Sequence, residues 1–345
     1  YAIVGTGGMG NAHANSLKNI KGCRLVSACD VIKSKAEEFA ARHNIPEVYD
    51  DFDKLLKKSE VDAVCNVTSD AFHAPLSIKA MRAGKHVLCE KPLATCYRDA
   101  KKMADEAKRA GVINMVNLSY RRSFAIQEAE RLVRMGAIGR VMHFEASYLQ
   151  GWLAAKYWGD WRKSPQWLWR LSTRHGSGGV LGDVGVHILD FAGFPVGGFK
   201  RVNCMLKTFP KAKGNRVGKY VLDANDSAVI LAEMENGATG VIHTTRWASG
   251  QKNSLLLKIY GDKGGIKIDL DKSYDEILLC RGKDLDKTEW KPVICRKTPD
   301  VYHRFVTSIR TGKNDQPDFA RGAEIQKVMD ACFESDKTKK WIVLG

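Results

Sequence analysis

Nine residues near the start of the chain, Ala2 to Gly10, constrain its fold more than any others. Ala2-Ile3-Val4 runs into Gly5-Thr6-Gly7-Gly8-Met9-Gly10, a G-x-G-x-x-G spacing, and Asn11 to Ile20 follows with the character of a helix. That order predicts a buried strand, a tight turn and a helix N-terminus. Gly5 suits the turn, Gly7 lets a pyrophosphate approach the backbone, and Gly10 lets helix and strand pack closely. Unpaired N–H groups of the first helical turn and the helix dipole then face the phosphates. A glycine-rich turn alone is a weak signal, but its surroundings strengthen this one. A second apolar strand, Arg24 to Cys29, ends in Asp30, twenty residues beyond Gly10. A carboxylate there can accept hydrogen bonds from adenosine ribose hydroxyls. Together these features predict a dinucleotide site.

The chain has 345 residues, room for two domains with a core each. No apolar run approaches the ~18–20 residues of a membrane span, and no signal peptide is visible. Because the chain starts almost inside its first strand, at least one natural residue is expected ahead of Tyr1. Nine cysteines lie scattered without a C-x-x-C pair, which predicts reduced thiols and a cytoplasmic location rather than disulfides or structural zinc. The net charge of +16 raises the question of nucleic acid. Its lysines are spread along the chain, however, and the densest group, Lys207, Lys211, Lys213, Arg216 and Lys219, reads as a solvated loop. Neither a nucleic-acid nor a membrane partner is expected.

Beyond Asp30 the pattern alternates. Helical stretches at 35–42, 51–58, 75–83 and 97–110 are interleaved with apolar strands at 61–67, 86–89 and 112–116. This predicts an α/β domain over 1–117, a doubly wound parallel sheet covered on both faces. After a helix from 126 to 135, strands dominate: 141–148, 201–209, 227–235, 239–245, 254–260 and 265–270, with Asn236-Gly237 as a hairpin signal. Helices return at 302–311 and 322–335. Residues 118–345 are therefore expected to form a second, α+β domain with a largely antiparallel open sheet.

Two stretches carry candidate chemistry. Glu90-Lys91-Pro92 follows a strand, at the end where doubly wound sheets bind ligands. Lys91 there reads either as an ammonium beside a reacting carbon or as a surface lysine before a turn. In Gly178 to Asp190, Asp183 and His187 are four apart among apolar neighbours, so a helix would put them on one face. That pair suits general acid–base work. It also fits a structural aspartate with a core histidine, or two metal ligands, although no third ligand stands nearby. Between the two stretches, five of eight tryptophans, Trp152, Trp158, Trp161, Trp167 and Trp169, fall within eighteen residues. Such rings can stack on the C–H face of a sugar, with Arg121, Arg122, Arg170, Arg174 and His175 as donors for hydroxyls, or they can pack a core.

The chain resembles the glucose–fructose oxidoreductase / inositol dehydrogenase family over almost its entire length. The resemblance rests on Gly5 to Gly10, on His73 with Ala83-Gly84-Lys85-His86-Val87-Leu88-Cys89-Glu90-Lys91-Pro92-Leu93-Ala94, and on Gly178 to Asp190. Asn225-Asp226-Ser227, Asn236-Gly237-Ala238 and Gly322-Ala323-Glu324 also look like its landmarks. It implies a nicotinamide cofactor, a carbohydrate or polyol substrate, and dimers or tetramers built on a face of the second sheet. It carries catalysis onto Lys91, Asp183 and His187. Cofactor contacts fall to Gly5, Gly7, Gly8, Met9, Gly10, Asp30, Thr68, Ser69, His73, Glu90 and Lys91. Substrate contacts fall to Lys91, Tyr120, Arg122, Trp152, Trp169, Arg170, Asp183 and His187.

Asp30 favours NAD over NADP, because a carboxylate repels a 2′-phosphate, although Lys33 and Lys35 could offset it. The expected activity is oxidation of a ring hydroxyl of a sugar, anhydrosugar or cyclitol. Two alternatives stand beside it: a glycosidase or epimerase-like enzyme that recycles tightly held NAD, and a non-catalytic nucleotide-binding sensor.

Overall fold

The computed structural model describes residues 1–345, which divide into two compact units: Tyr1–Ser119 with Pro299–Gln326, and Tyr120–Thr298 with Lys327–Gly345. The expected second domain, 118–345, is thus interrupted, because the chain returns to the first unit near its end. The reason is apolar: Val301, Phe305 and Val306 join Ile3, Leu17, Phe39 and Leu88 in one buried cluster.

In the first unit, β1 (Ala2–Val4), β2 (Ser27–Cys29), β3 (Glu47–Tyr49), β4 (Ala63–Asn66), β5 (His86–Cys89) and β6 (Asn114–Val116) form one sheet of order β3-β2-β1-β4-β5-β6. All its pairings are parallel. The helices between them are α1 (Gly8–Lys18), α2 (Lys33–His43), α3 (Phe52–Lys58), α4 (His73–Arg82) and α5 (Tyr97–Ala110). The strand order reverses between β1 and β4, the switch point where such sheets bind ligands at strand C-termini. β3 was not foreseen; its three residues are half-buried and carry no alternation long enough to read.

In the second unit α6 (Phe124–Arg134) precedes β7 (Val141–Leu149), and a short α7 (Pro165–Leu168) lies in the tryptophan-rich excursion before α8 (Val186–Val196). There follow β8 (Phe199–Lys207), the small hairpin β9 (Arg216–Val217) and β10 (Tyr220–Val221), then β11 (Ser227–Met234), β12 (Thr239–Thr245), β13 (Ser254–Gly261), β14 (Gly264–Asp269) and β15 (Glu276–Arg281). After α9 (Lys283–Asp286) and β16 (Lys291–Ile294), α10 (Val301–Thr311) and the first part of α11 (Phe319–Thr338) belong to the first unit. β17 (Ile342–Val343) closes a nine-stranded sheet of order β16-β15-β14-β13-β7-β12-β11-β8-β17. The sheet is antiparallel, as expected, except where β12 runs parallel to β7. α8 packs on β7, β12 and β13. Strand alternation turns Met205, Val229 and Leu231 outward, and these stay exposed. No helix is long and apolar enough to cross a membrane.

Candidate functional site

The dinucleotide turn forms as its glycines predict. Gly5 has φ +95°, and a Cβ there would lie 2.6 Å from the Val67 carbonyl oxygen. A Cβ on Gly10 would lie 2.6 Å from the Gly5 oxygen, so α1 leaves β1 at backbone contact. Gly7 and Gly8 face open space, and α1 has no side-chain cap on Gly7. The first helical N–H groups, lacking intrahelical acceptors, therefore open into a cradle bare of side chains. That arrangement fits a pyrophosphate. Met9 is exposed beside it.

Asp30 stands at the end of β2. Its Oδ2 accepts from the Thr6 N–H at 3.0 Å and the Thr6 hydroxyl at 2.8 Å, and its Oδ1 from the Ile32 N–H at 3.0 Å. Burial works to raise the pKa, but these donors and Lys35 hold it below the usual value. The residue between the first two glycines thus positions the carboxylate, a link the motif does not announce.

Thr68 and Ser69 lie just past β4. The Thr68 hydroxyl donates to Asn66 Oδ1 at 2.7 Å, and Ser69 is exposed. His73 and Glu90, expected at the cofactor, are both buried and bonded within the protein. His73 is fully buried, its Nδ1 2.7 Å from the Pro92 oxygen and its Nε2 3.1 Å from the Thr68 oxygen. It staples the β4 loop to the Glu90-Lys91-Pro92 loop. Glu90 is 6% exposed. Its Oε1 faces His13 Nε2 at 2.8 Å and accepts from Asn117 Nδ2 at 2.6 Å, while Oε2 accepts from the Lys91 N–H at 3.1 Å. Burial raises its pKa, yet His13, Asn117 and Lys91 bring it down to about 2. A carboxylate with that many internal donors is drawn inward, and it anchors the backbone of the partly exposed Lys91. His13 sits on α1 three residues beyond Gly10, at a position that belongs to no motif.

In the second unit Asp183 lies in a π-helical turn, Leu181–Gly185, that leads into α8, where His187 is 8% exposed. The i, i+4 pair thus arises from a widened turn followed by α-helix rather than from one uniform helix. Asn225 shapes that turn: its Oδ1 accepts from the Leu181 N–H at 3.0 Å and its Nδ2 donates to the Gly178 oxygen at 3.1 Å. Asp183 Oδ2 accepts from Arg246 Nη2 at 3.0 Å, with Arg170 Nε 3.6 Å away. Arg246 is fully buried, lies over the Trp152 ring and was not foreseen, since a lone arginine after a strand carries no motif.

Around His187 stand two tyrosines. The Tyr120 ring meets it edge-on at 5.0 Å between centroids, and Tyr148 lies at 6.4 Å. Of the tryptophans, Trp152 and Trp161 are buried, so Trp152 offers no open face to a sugar. Trp158 and Trp167 stack in parallel with centroids 5.5 Å apart. The Arg170 guanidinium lies over both Trp167 and Trp169, and all three are partly exposed. Arg122 is exposed over Tyr274. Two basic residues depart from expectation. Arg121 is buried in a two-pronged pair with Asp190, at 2.6 and 2.7 Å, and is no donor for hydroxyls. Lys211, read as part of a solvated loop, is fully enclosed 3.0 Å from Asp226.

Residues 1–118 match the oxidoreductase family with an NAD-binding Rossmann fold, and residues 126–267 match the GFO/IDH/MocA C-terminal domain. Levoglucosan dehydrogenase of Pseudarthrobacter phenanthrenivorans is 28% identical over 89% of this chain and 86% of its own. The scyllo-inositol 2-dehydrogenase (NAD(+)) of Bacillus subtilis is 26% identical over 90% and 86%. A structure of levoglucosan dehydrogenase in complex with NADH and levoglucosan superposes with a TM-score of 0.88, at 28% identity over 99% of this chain and 98% of that one. An oxidoreductase domain protein from Kribbella flavida also superposes at 0.88, with 30% identity over 100% and 98%. With both its domains matched, the chain belongs to the GFO/IDH/MocA family of oxidoreductases, whose N-terminal Rossmann domain binds NAD.

Proposed function

We propose that this protein oxidises a ring hydroxyl of a sugar, anhydrosugar or cyclitol, with Lys91, Asp183 and His187 as its catalytic groups. The observation that carries the proposal is the surroundings of His187: an imidazole flanked by the Tyr120 and Tyr148 rings, four residues beyond a carboxylate held by Arg246. The levoglucosan and inositol dehydrogenases it resembles act on ring polyols, as their names state. Trp167 and Trp169, with Arg170 across them, supply apolar faces and donors suited to such a ring.

Bound NAD supplies the hydride acceptor. His187 takes the hydroxyl proton as the carbon is oxidised. The Lys91 ammonium holds the hydroxyl oxygen and stabilises the negative charge that grows on it. Asp183 orients the imidazole, while Arg246 fixes the carboxylate. Glu90 and His73 hold the Lys91 loop from beneath. Asp30, held in its ionised form, would accept from the adenosine ribose hydroxyls of NAD and repel the 2′-phosphate of NADP.

The test is growth of NADH absorbance with purified protein, NAD, and a panel of monosaccharides, anhydrosugars and inositols. Turnover of one ring polyol, abolished in both Lys91→Ala and His187→Ala with NAD binding retained, is the expected result. Unchanged activity in either variant refutes the assigned mechanism. Cofactor binding without NADH accumulation across the panel points to an enzyme that recycles NAD. The exposed strip of Met205, Val229 and Leu231 is the face through which we expect copies of the chain to pair. Light scattering should report a dimer or tetramer, and a strictly monomeric mass refutes that assignment.

A further inference from the structure

Five side chains form a hydrogen-bonded chain whose last three, Asn253, Tyr120 and Tyr148, close into a ring, with the two tyrosines beside His187. Trp152 Nε1 donates to Gln150 Oε1 at 3.1 Å, and Gln150 Nε2 donates to Asn253 Oδ1 at 2.8 Å. Asn253 Nδ2 donates to the Tyr120 oxygen at 2.8 Å. The Tyr120 and Tyr148 oxygens are 2.7 Å apart, and the Tyr148 hydroxyl donates to Asn253 Oδ1 at 2.6 Å. Gln150 and Asn253 have no place in any of the sequence motifs.

The direction of every proton in this network follows from one residue. An indole N–H can only donate, so Gln150 must turn its oxygen to Trp152 and its NH₂ to Asn253. Asn253 must then present its oxygen to Gln150 and its NH₂ to Tyr120. The contact between Tyr148 and Asn253 Oδ1 needs a hydrogen, and a carbonyl oxygen has none, so Tyr148 spends its only proton there. The contact between the two tyrosines also needs a hydrogen, and only Tyr120 has one left. The Tyr120 hydroxyl is therefore committed inward to Tyr148.

We infer that Tyr120 meets the substrate solely as a hydrogen-bond acceptor, and so selects a ligand hydroxyl over a carbonyl, ether or carboxylate at that point. Tyr148 is buried, whereas Tyr120 is partly exposed with its ring edge-on to His187. Given the dehydrogenase reading above, on which this inference rests, the hydroxyl it accepts from is a neighbour of the one being oxidised. Tyr120 is then a specificity-determining residue. Tyr148, Asn253, Gln150 and Trp152 are positioning residues that act through it.

Two measurements test this. The first needs no substrate: in protein with selectively labelled tyrosine, the Tyr120 hydroxyl proton should exchange slowly with water and show a nuclear Overhauser contact to the Tyr148 ring. A rapidly exchanging Tyr120 hydroxyl, with the Tyr148 proton directed at Tyr120, overturns the inference whatever the enzyme does. The second compares dissociation constants of levoglucosan and its three monodeoxyfluoro analogues, in which fluorine replaces a hydroxyl donor by a weak acceptor of similar size. One analogue should bind about ten-fold more weakly, the scale of one lost hydrogen bond. In Tyr148→Phe the Tyr120 proton is released to point outward, and that penalty should fall to about two-fold or less. Equal binding of all four sugars, or a penalty unchanged in Tyr148→Phe, overturns the inference. If no sugar binds, the substrate reading fails and the proton measurement alone decides.

Discussion

Replacing Glu90 by glutamine removes a charge from the interior of the first unit while keeping the shape of the side chain. The cost can be worked from the structure. Glu90 accepts from Asn117 and the Lys91 N–H and pairs with His13, and its pKa falls from 4.5 to about 2. That drop, at about 1.36 kcal/mol per unit, corresponds to about 3 kcal/mol of stability at neutral pH. The folded carboxyl holds its proton less tightly than the unfolded one. Its contribution is therefore complete above about pH 4.5 and is lost as the pH falls toward 2. Glutamine does not titrate, so the gap between wild type and Glu90→Gln should be widest at pH 7 and should close steadily in acid. Urea denaturation at a series of pH values measures it, with Glu90→Asp as a control that keeps the charge and shortens the reach. A gap below about 1 kcal/mol at pH 7, smaller than a typical loss for a hydrogen bond to a charged group, would refute the network argument. So would a gap that does not depend on pH.

Two further outcomes follow from packing. Gly10→Ala puts a methyl group 2.6 Å from the Gly5 oxygen. It should push α1 away from β1 and weaken NAD binding at least ten-fold by calorimetry, whereas Gly84→Ala, whose site is open but has φ +73°, should leave binding unchanged. Lys211→Met leaves the fully buried Asp226 without its cation, and should cost about 3–5 kcal/mol in denaturation. The double variant Lys211→Met, Asp226→Leu should recover much of that loss, and equal losses in both would show that the charge pair is not the cause.

Much of the architecture was legible because local patterns repeat with the period of the element they form. The strand–glycine–helix start, the parallel α/β run and the strand-rich second half are all read from apolar spacing and turn residues. Thr239–Thr245 and Tyr97–Ala110 even begin and end as the pattern predicts. β3, β15, β16 and β17 escaped because each is short, at or next to a sheet edge, and carries little apolar alternation. The return of α10 to the first unit is invisible in sequence because an amphipathic helix shows which face it buries, not against which core.

The site divides along the same line. By itself the sequence determined which residue types were available: the glycine turn, Asp30, Lys91, Asp183 and His187, each marked by a local motif or spacing. Tertiary structure decided what each one faces. It buried Glu90 and His73, enclosed Arg121 and Lys211 in ion pairs, brought Arg246 to Asp183, and tied Gln150 and Asn253 to Tyr120 and Tyr148. The physical reason is that a buried polar group must find a partner, and the partner that satisfies it here is often tens of residues away. Asn253 meets Tyr120 across 133 positions of chain, a distance no local pattern spans.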